Sequence, residues 1–187
     1  MIFGGYNLMD KMENILFETN RIIVRKLSLN DSELLFKYSQ EEITKRELPD
    51  EVYENISDIK DAIEYFMINY DYEYNFVYPL VYGIVHKNKN IIIGHIGLTE
   101  IDKGIEIGYA IATEYQNNGY MSEIIIPFIN WIKNHLRLEK IYGITKKDNK
   151  ASWKVLEKNG FELEEECVNK NYFGGKCIVK IYSKIIC

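Results

Sequence analysis

The sequence has 187 residues, 47% of them apolar, and a formal net charge of -5 at pH 7, which suits one globular domain with a substantial core. No dense basic tract of the kind that follows nucleic-acid phosphates occurs; the nearest, Lys146-Lys147-Asp148-Asn149-Lys150, is short, broken by an acid and reads as a solvated loop. No run approaches the roughly 18 apolar residues of a membrane span, so neither nucleic acid nor membrane is expected as a partner.

Residues 1–11 show no charged segment followed by an apolar run, and therefore no secretory signal. Residues 1–13 read as a flexible lead-in, with Met12 as an alternative start to Met1, and residues 14–187 as the domain. Cys167, Cys177 and Cys187 are odd in number and lack CxxC spacing, which predicts free thiols in a reducing cytoplasm.

Arg21-Ile22-Ile23-Val24-Arg25-Lys26-Leu27 is short and β-branched, and predicts a first strand. Ser28-Leu29-Asn30-Asp31 caps a helix through Leu34, Leu35 and Tyr38. Residues 41–55 are polar, with Pro49, and predict a loop with some helix; Ser57-Asp58 opens a second helix carrying Ile59, Ala62, Ile63, Phe66 and Met67. Tyr70, Tyr72, Tyr74 and Tyr78 either line an aromatic pocket or cover the core. Residues 79–86 and 91–100 predict two strands joined by the turn Lys87-Asn88-Lys89-Asn90.

After the turn Asp102-Lys103-Gly104 comes a strand of period two. Ile105, Ile107, Tyr109 and Ile111 take one face, and Gly104, Glu106, Gly108 and Ala110 the other, leaving that second face nearly bare. A polar turn follows, and then a helix over residues 119–135 with Met121, Ile124, Ile125, Phe128 and Ile132 at helical spacing; Pro127 inside it predicts a kink. The start of a helix leaves about four N–H groups unpaired and carries partial positive charge, so this turn is a natural seat for a phosphate. Beyond it lie a strand at residues 140–145, a helix capped by Asn149 and stopped at Asn159-Gly160, and two strands, 161–171 and 176–186, hinged at Gly174-Gly175. The order of elements predicts a mixed α/β sheet in one domain.

Gln116-Asn117-Asn118-Gly119-Tyr120-Met121 resembles the Q/R-x-x-G-x-G/A loop of the GCN5-related N-acetyltransferases (GNAT). Asn149-Lys150-Ala151-Ser152-Trp153-Lys154-Val155-Leu156-Glu157-Lys158-Asn159-Gly160-Phe161 resembles their later N-x-x-S-x-x-V-L-E-K-x-G-F segment. Glu18-Thr19-Asn20-Arg21-Ile22-Ile23-Val24-Arg25-Lys26-Leu27 is similar to the opening of the branch that acetylates ribosomal-protein N-termini (RimJ/RimL-like). The resemblance implies a mixed, mostly antiparallel α/β (α+β) sheet of about seven strands flanked by about four helices. It also implies acetyl-CoA as cosubstrate and no metal. The pyrophosphate would sit on backbone N–H groups of Gln116, Asn117, Asn118, Gly119, Tyr120, Met121 and Ser122. The pantetheine arm would lie near Ile111, beside the strand at 140–145, with Asn149 and Ser152 at the neighbouring helix start. Two residues depart from the pattern: Met121 stands for Gly or Ala, and Asn117-Asn118 for a basic pair. Lys154 then becomes the candidate phosphate cation, its alternative being a solvated helix lysine.

Acetyl transfer needs a neutral amine, a donor for the carbonyl oxygen and a proton for the departing thiolate. An α-amine, with a reference pKa of about 7.7–8.0, asks less of a base than a lysine at about 10.4. The backbone N–H near Ile111 is the expected carbonyl donor. Ser152 is the expected thiolate partner, alongside a plain capping role, because Glu157 occupies the position where many relatives carry tyrosine. Glu106, on the bare face, is the expected base, directly or through water, or else a salt-bridged surface carboxylate. Asn171 before Tyr172 closes a route that some relatives use. His86, His95 and His135 lack metal-ligand spacing; His95 either reaches the substrate side or is structural. The expected acceptor is a protein N-terminal α-amine, with a small-molecule amine, or a CoA-binding module without catalysis, as alternatives. The chain is expected to be a monomer or homodimer.

Overall fold

The computed structural model describes residues 14–70, 77–169 and 175–186. The expectations for residues 1–13, Tyr72, Tyr74, Asn171, Tyr172 and Gly174 lie outside them. Eight strands are described: β1 (Ile15–Glu18), β2 (Ile22–Lys26), β3 (Leu80–His86), β4 (Ile91–Ile101), β5 (Gly104–Ile111), β6 (Lys140–Lys146), β7 (Glu162–Asn169) and β8 (Cys177–Ile185). The helices are α1 (Ser32–Ser39), α2 (Glu42–Glu47), α3 (Ile56–Tyr70), α4 (Tyr120–His135) and α5 (Lys150–Lys158), with short 3₁₀ turns between.

The sheet order is β1-β2-β3-β4-β5-β6-β8-β7. Every neighbouring pair is antiparallel except β5 and β6, which run parallel and share a single register pair, Glu106 opposite Tyr142. The antiparallel ladder of β4 with β5 runs unbroken from Gly94–Ile111 to Ile101–Gly104. The sheet is therefore tight on one side of β5 and parts on the other.

Period two along β4 and β5 decides what each face meets. Ile96, Leu98, Ile105 and Ile107 join Ile124, Ile125, Phe128 and Ile132 of α4 and Leu156 of α5 in the main core. The opposite face is covered by α1 and α3, where Leu35, Ile59 and Ile63 pack with Leu27, Val85 and Ile92. Helix α4 continues through Pro127 rather than ending there. Tyr70 covers the core: its hydroxyl donates to the Val81 carbonyl and accepts from the Leu27 N–H, and its ring stacks on Tyr82 at 5.3 Å. Among the described residues no helix is long and apolar enough to cross a membrane.

Eight strands replace the expected seven or so because β1 is a four-residue strand too short to show a period. The fifth helix, α2, fills part of the polar 41–55 segment and buries no residue, so no apolar stripe announces it.

Phe128 is fully buried, with its ring 6.4 Å from Phe17 and 6.0 Å from both Tyr82 and Trp131. Phe128→Ala is expected to cost about 3–5 kcal/mol, read as a lower urea midpoint at an unchanged slope.

Candidate active site

The turn from β5 into α4 is built by backbone conformation. Asn117 (φ 61°) and Gly119 (φ 77°) both adopt the left-handed region, which glycine and asparagine tolerate best. The Asn118 side chain donates to the carbonyls of Tyr115 (3.1 Å) and Gln116 (2.9 Å), and Gln116 Nε2 donates to the Ile111 carbonyl (2.8 Å). Side chains thus fold the loop, while the first N–H groups of α4 receive no side-chain cap. Such an open helix start suits an anion. Met121 is buried in the core beneath this turn, so its bulk lies away from the loop surface.

A cation that touches this loop is Arg21, for which the sequence predicts a place in the first strand and in the Glu18–Leu27 resemblance but no contact with the loop. Its Nη1 donates to the Asn118 carbonyl (3.1 Å), Nε donates to Glu123 Oε2 (2.7 Å), and the guanidinium lies 4.5 Å from the Tyr120 ring centroid. Glu123 also accepts from Thr19 Oγ1 (2.5 Å) and the Arg21 N–H (3.1 Å). These donors hold the Glu123 carboxyl below its ordinary range although its burial acts the other way. Lys154, the cation expected from sequence, is exposed and lies 5.9 Å from the Trp153 ring centroid.

Where β5 and β6 part, Glu106 spans the junction: its Oε1 accepts from the Ile144 N–H at 3.1 Å. Asn149 caps α5 as expected, its Oδ1 accepting from the Ser152 N–H at 3.1 Å. The Ser152 hydroxyl is also engaged. The Tyr109 hydroxyl lies 3.2 Å from Ser152 Oγ and donates to the Ser152 carbonyl at 3.1 Å. Burial pushes the Tyr109 phenol up to about 12, with the Ser152 bond acting the other way, so it stays protonated at neutral pH. Tyr109 was read from sequence as one more residue of the apolar face. Only the packing of α5 against β5 reveals its polar end.

The bare face of β5 opens onto a cavity of about 130 Å³. Its floor is Gly94, Gly97, Gly108 and Ala110, its roof apolar residues of α1 and α3, and its polar end His95, Glu51 and Tyr53. His95 Nε2 lies 3.0 Å from Glu51 Oε2. Burial alone would lower the His95 pKa, but the charge and hydrogen bond of Glu51 outweigh it and the net shift is upward. His86 packs against Tyr120 and His135 stacks on Trp131. Among the described residues no cluster of three or more His, Cys, Asp or Glu side chains is arranged to hold a metal ion.

A family model described as "Acetyltransferase (GNAT) domain" matches residues 21–162. The uncharacterized N-acetyltransferase YoaA of Bacillus subtilis (strain 168) is 31% identical over 155 residues, covering 80% of this chain and 84% of its own. Among solved structures, RimL, a ribosomal-protein α-N-acetyltransferase in complex with coenzyme A, superposes with a TM-score of 0.78 at 19% identity, over 91% of this chain and 97% of that one. The microcin C7 self-immunity acetyltransferase MccE, in complex with acetyl-CoA and AMP, has a TM-score of 0.73 at 26% identity, over 89% and 93% of the two chains.

The glycines of the cavity floor separate packing from space. A Cβ at Gly108 meets no atom within 4 Å, whereas at Gly94 it stands 2.1 Å from the Ala110 carbonyl oxygen. Gly108→Val is expected to change stability by no more than about 0.5 kcal/mol while narrowing the cavity. Gly94→Ala is expected to cost about 1–3 kcal/mol. Thermal melts of the two variants check the contrast.

Proposed function

The chain belongs to the GNAT acetyltransferase family and is an N-acetyltransferase, and from that premise we propose that its acceptor is a protein N-terminal α-amine. The proposal takes residues 14–187 as the acetyltransferase domain, residues 1–13 as a lead-in, and the cytoplasm as the setting. One observation carries it. The parting of β5 from β6 lies between an uncapped helix start, the Ser152–Tyr109 pair and a cavity on the bare face.

The residues fit a CoA thioester. The N–H groups from Gln116 to Ser122 suit the pyrophosphate, and Arg21 supplies the positive charge that Asn117 and Asn118 do not. Past Glu106, the backbone of β5 has no register partner on β6, which leaves the stretch to Ile111 available to a strand-like pantetheine arm. Acetyl-CoA, when bound, supplies an acyl group activated as a thioester. Ser152 holds a proton at the sulfur, and Tyr109 fixes the orientation of its hydroxyl. A backbone N–H near Ile111 stabilises the carbonyl oxygen as charge develops. Glu106 stands on the bare face of β5, and its carboxylate ties that strand to β6 through the Ile144 N–H.

An α-amine suits this modest machinery, because at pH 7 a useful fraction is already neutral. The likeness to RimL supports the same choice of acceptor. The small cavity favours one second reading, a small-molecule amine seated wholly within it. Mass spectrometry of a panel of free-N-terminal peptides, N-terminally blocked lysine peptides and small amines, each with acetyl-CoA, decides between them. Acetylation of peptide α-amines alone is expected. Transfer only to small amines replaces the acceptor assignment, and tight acetyl-CoA binding with no turnover on any amine replaces catalysis with a binding role.

Ser152→Ala is expected to lower kcat about 10- to 100-fold with little change in acetyl-CoA affinity. Arg21→Ala is expected to do the reverse, weakening acetyl-CoA about tenfold by calorimetry, equivalent to about 1.4 kcal/mol, with kcat nearly retained at saturation.

A further inference from the structure

Glu106 is not the only ionisable group on the bare face. Directly opposed residues of an antiparallel pair share a face and have Cα atoms about 4.5–5.5 Å apart. His95 opposes Ala110 and Thr99 opposes Glu106. The imidazole therefore stands one residue from Ile111, closer along the sheet to the end of β5 than Glu106 is. Gly94 and Gly97 near it in β4, with Gly108 across from Gly97, leave the space around its ring clear.

The partner of His95 comes from outside the sheet. Glu51 ends a 3₁₀ turn that begins at Pro49, and its Oε2 lies 3.0 Å from His95 Nε2. The side chains of His95 and Glu51 are 21% and 38% exposed, so the pair sits at the mouth of the cavity rather than on open surface. A carboxylate on Nε2 favours the tautomer with its proton there and leaves Nδ1 as the basic nitrogen. Glu106 meanwhile spends a carboxylate oxygen on the Ile144 N–H and ties the two parallel strands together.

We infer that His95, oriented by Glu51, is the group that takes the proton from the acceptor ammonium, and that Glu106 chiefly positions the strand junction. The inference rests on the acetyl-transfer reading given above. The step balances as follows. An N–H bond of the ammonium breaks, its electron pair stays on nitrogen and the proton goes to His95 Nδ1. The neutral nitrogen attacks the thioester carbonyl carbon, the C–N bond forms, and the C–S bond breaks with its pair on sulfur. Nitrogen sheds a second proton, sulfur gains one through Ser152, and the imidazolium returns its proton to water. The net change is one ammonium and one thioester converted to an amide, a thiol and one proton.

The surroundings suit that task. Besides Glu51, the ionisable groups around His95 are Tyr53, Tyr38 of α1 and Glu106 further along β5; α3 presents only Ile59, Ile63 and Phe66. Burial first, and Glu51 or other acids second, hold the phenols of Tyr38 and Tyr53 at about 12, so both stay neutral. Burial works against the charged imidazole, but Glu51 dominates the charge there and the net shift is upward, which favours a proton-accepting role.

The test compares wild type, His95→Gln, Glu51→Gln and Glu106→Gln. Each is assayed for kcat against pH with acetyl-CoA and a hexapeptide amide bearing a free N-terminal alanine, serine or methionine, and the His95 ring is titrated by NMR. Removing Glu51 removes what raises the His95 pKa, so the acid limb of kcat and the NMR titration are both expected to move to lower pH together. His95→Gln is expected to lower kcat about 100-fold and abolish that limb. Glu106→Gln is expected to leave the limb at its wild-type position. If His95→Gln fails to fold, Glu51→Gln, a change on a partly exposed turn, still decides. A wild-type rate and limb in the His95 and Glu51 variants, or a limb that moves only in Glu106→Gln, overturns the assignment while leaving the acetyltransferase reading standing. Wild-type protein inactive on every peptide removes the α-amine reading, and this inference with it.

Discussion

One carboxylate-to-backbone hydrogen bond marks the point on which the site depends. Glu106, the β5 residue registered with Tyr142 of β6, accepts from the Ile144 N–H, and among the described residues no further register pair joins the two strands. Backbone N–H and C=O groups strongly prefer partners, so a sheet that opens in its middle invites something to fill the opening. On the other side of β5, the ladder to β4 continues from Gly104 to Ile111 and keeps the open edge straight. Phe128 and Ile132 of α4 and Leu156 of α5 share one core with Ile105 and Ile107 of β5 and Ile141 of β6.

The two faces of β5 divide the chemistry. On the apolar face the Tyr109 hydroxyl reaches Ser152 at the start of α5, which puts the proposed proton donor to sulfur on the core side. The bare face ends in Ala110 beside His95, which puts the proposed proton acceptor on the cavity side. A period of two thus puts the proposed acid and base on opposite sides of one strand. The proposed donor for the carbonyl, the backbone near Ile111, lies between them.

Much of this was legible in the sequence because it is local. The alternation of residues 104–111, the helical spacing from Met121 to Ile132 and the Asn149 cap all depend on neighbours a few positions away, and each reappears in the structure. What stayed hidden is long-range. Arg21 reaches the loop only because β2 and the start of α4 are brought together by folding. Glu51 meets His95 only because a polar 3₁₀ turn, with no apolar period to place it, folds over the sheet. Met121 looked like a defect in a phosphate loop because the motif shows residue types, not directions; its side chain points into the core. Lys154 is a candidate through the family resemblance alone, and its side chain lies 5.9 Å from the Trp153 ring centroid.

A crystal structure of the protein with coenzyme A shows directly whether the cofactor lies along the parted edge of β5. The account predicts the pyrophosphate on the N–H groups between Gln116 and Ser122, the pantetheine arm along β5 between Glu106 and Ile111, and the sulfur within hydrogen-bonding distance of Ser152 Oγ. Coenzyme A bound elsewhere, or a thiol turned away from both Ser152 and the His95 cavity, would contradict it.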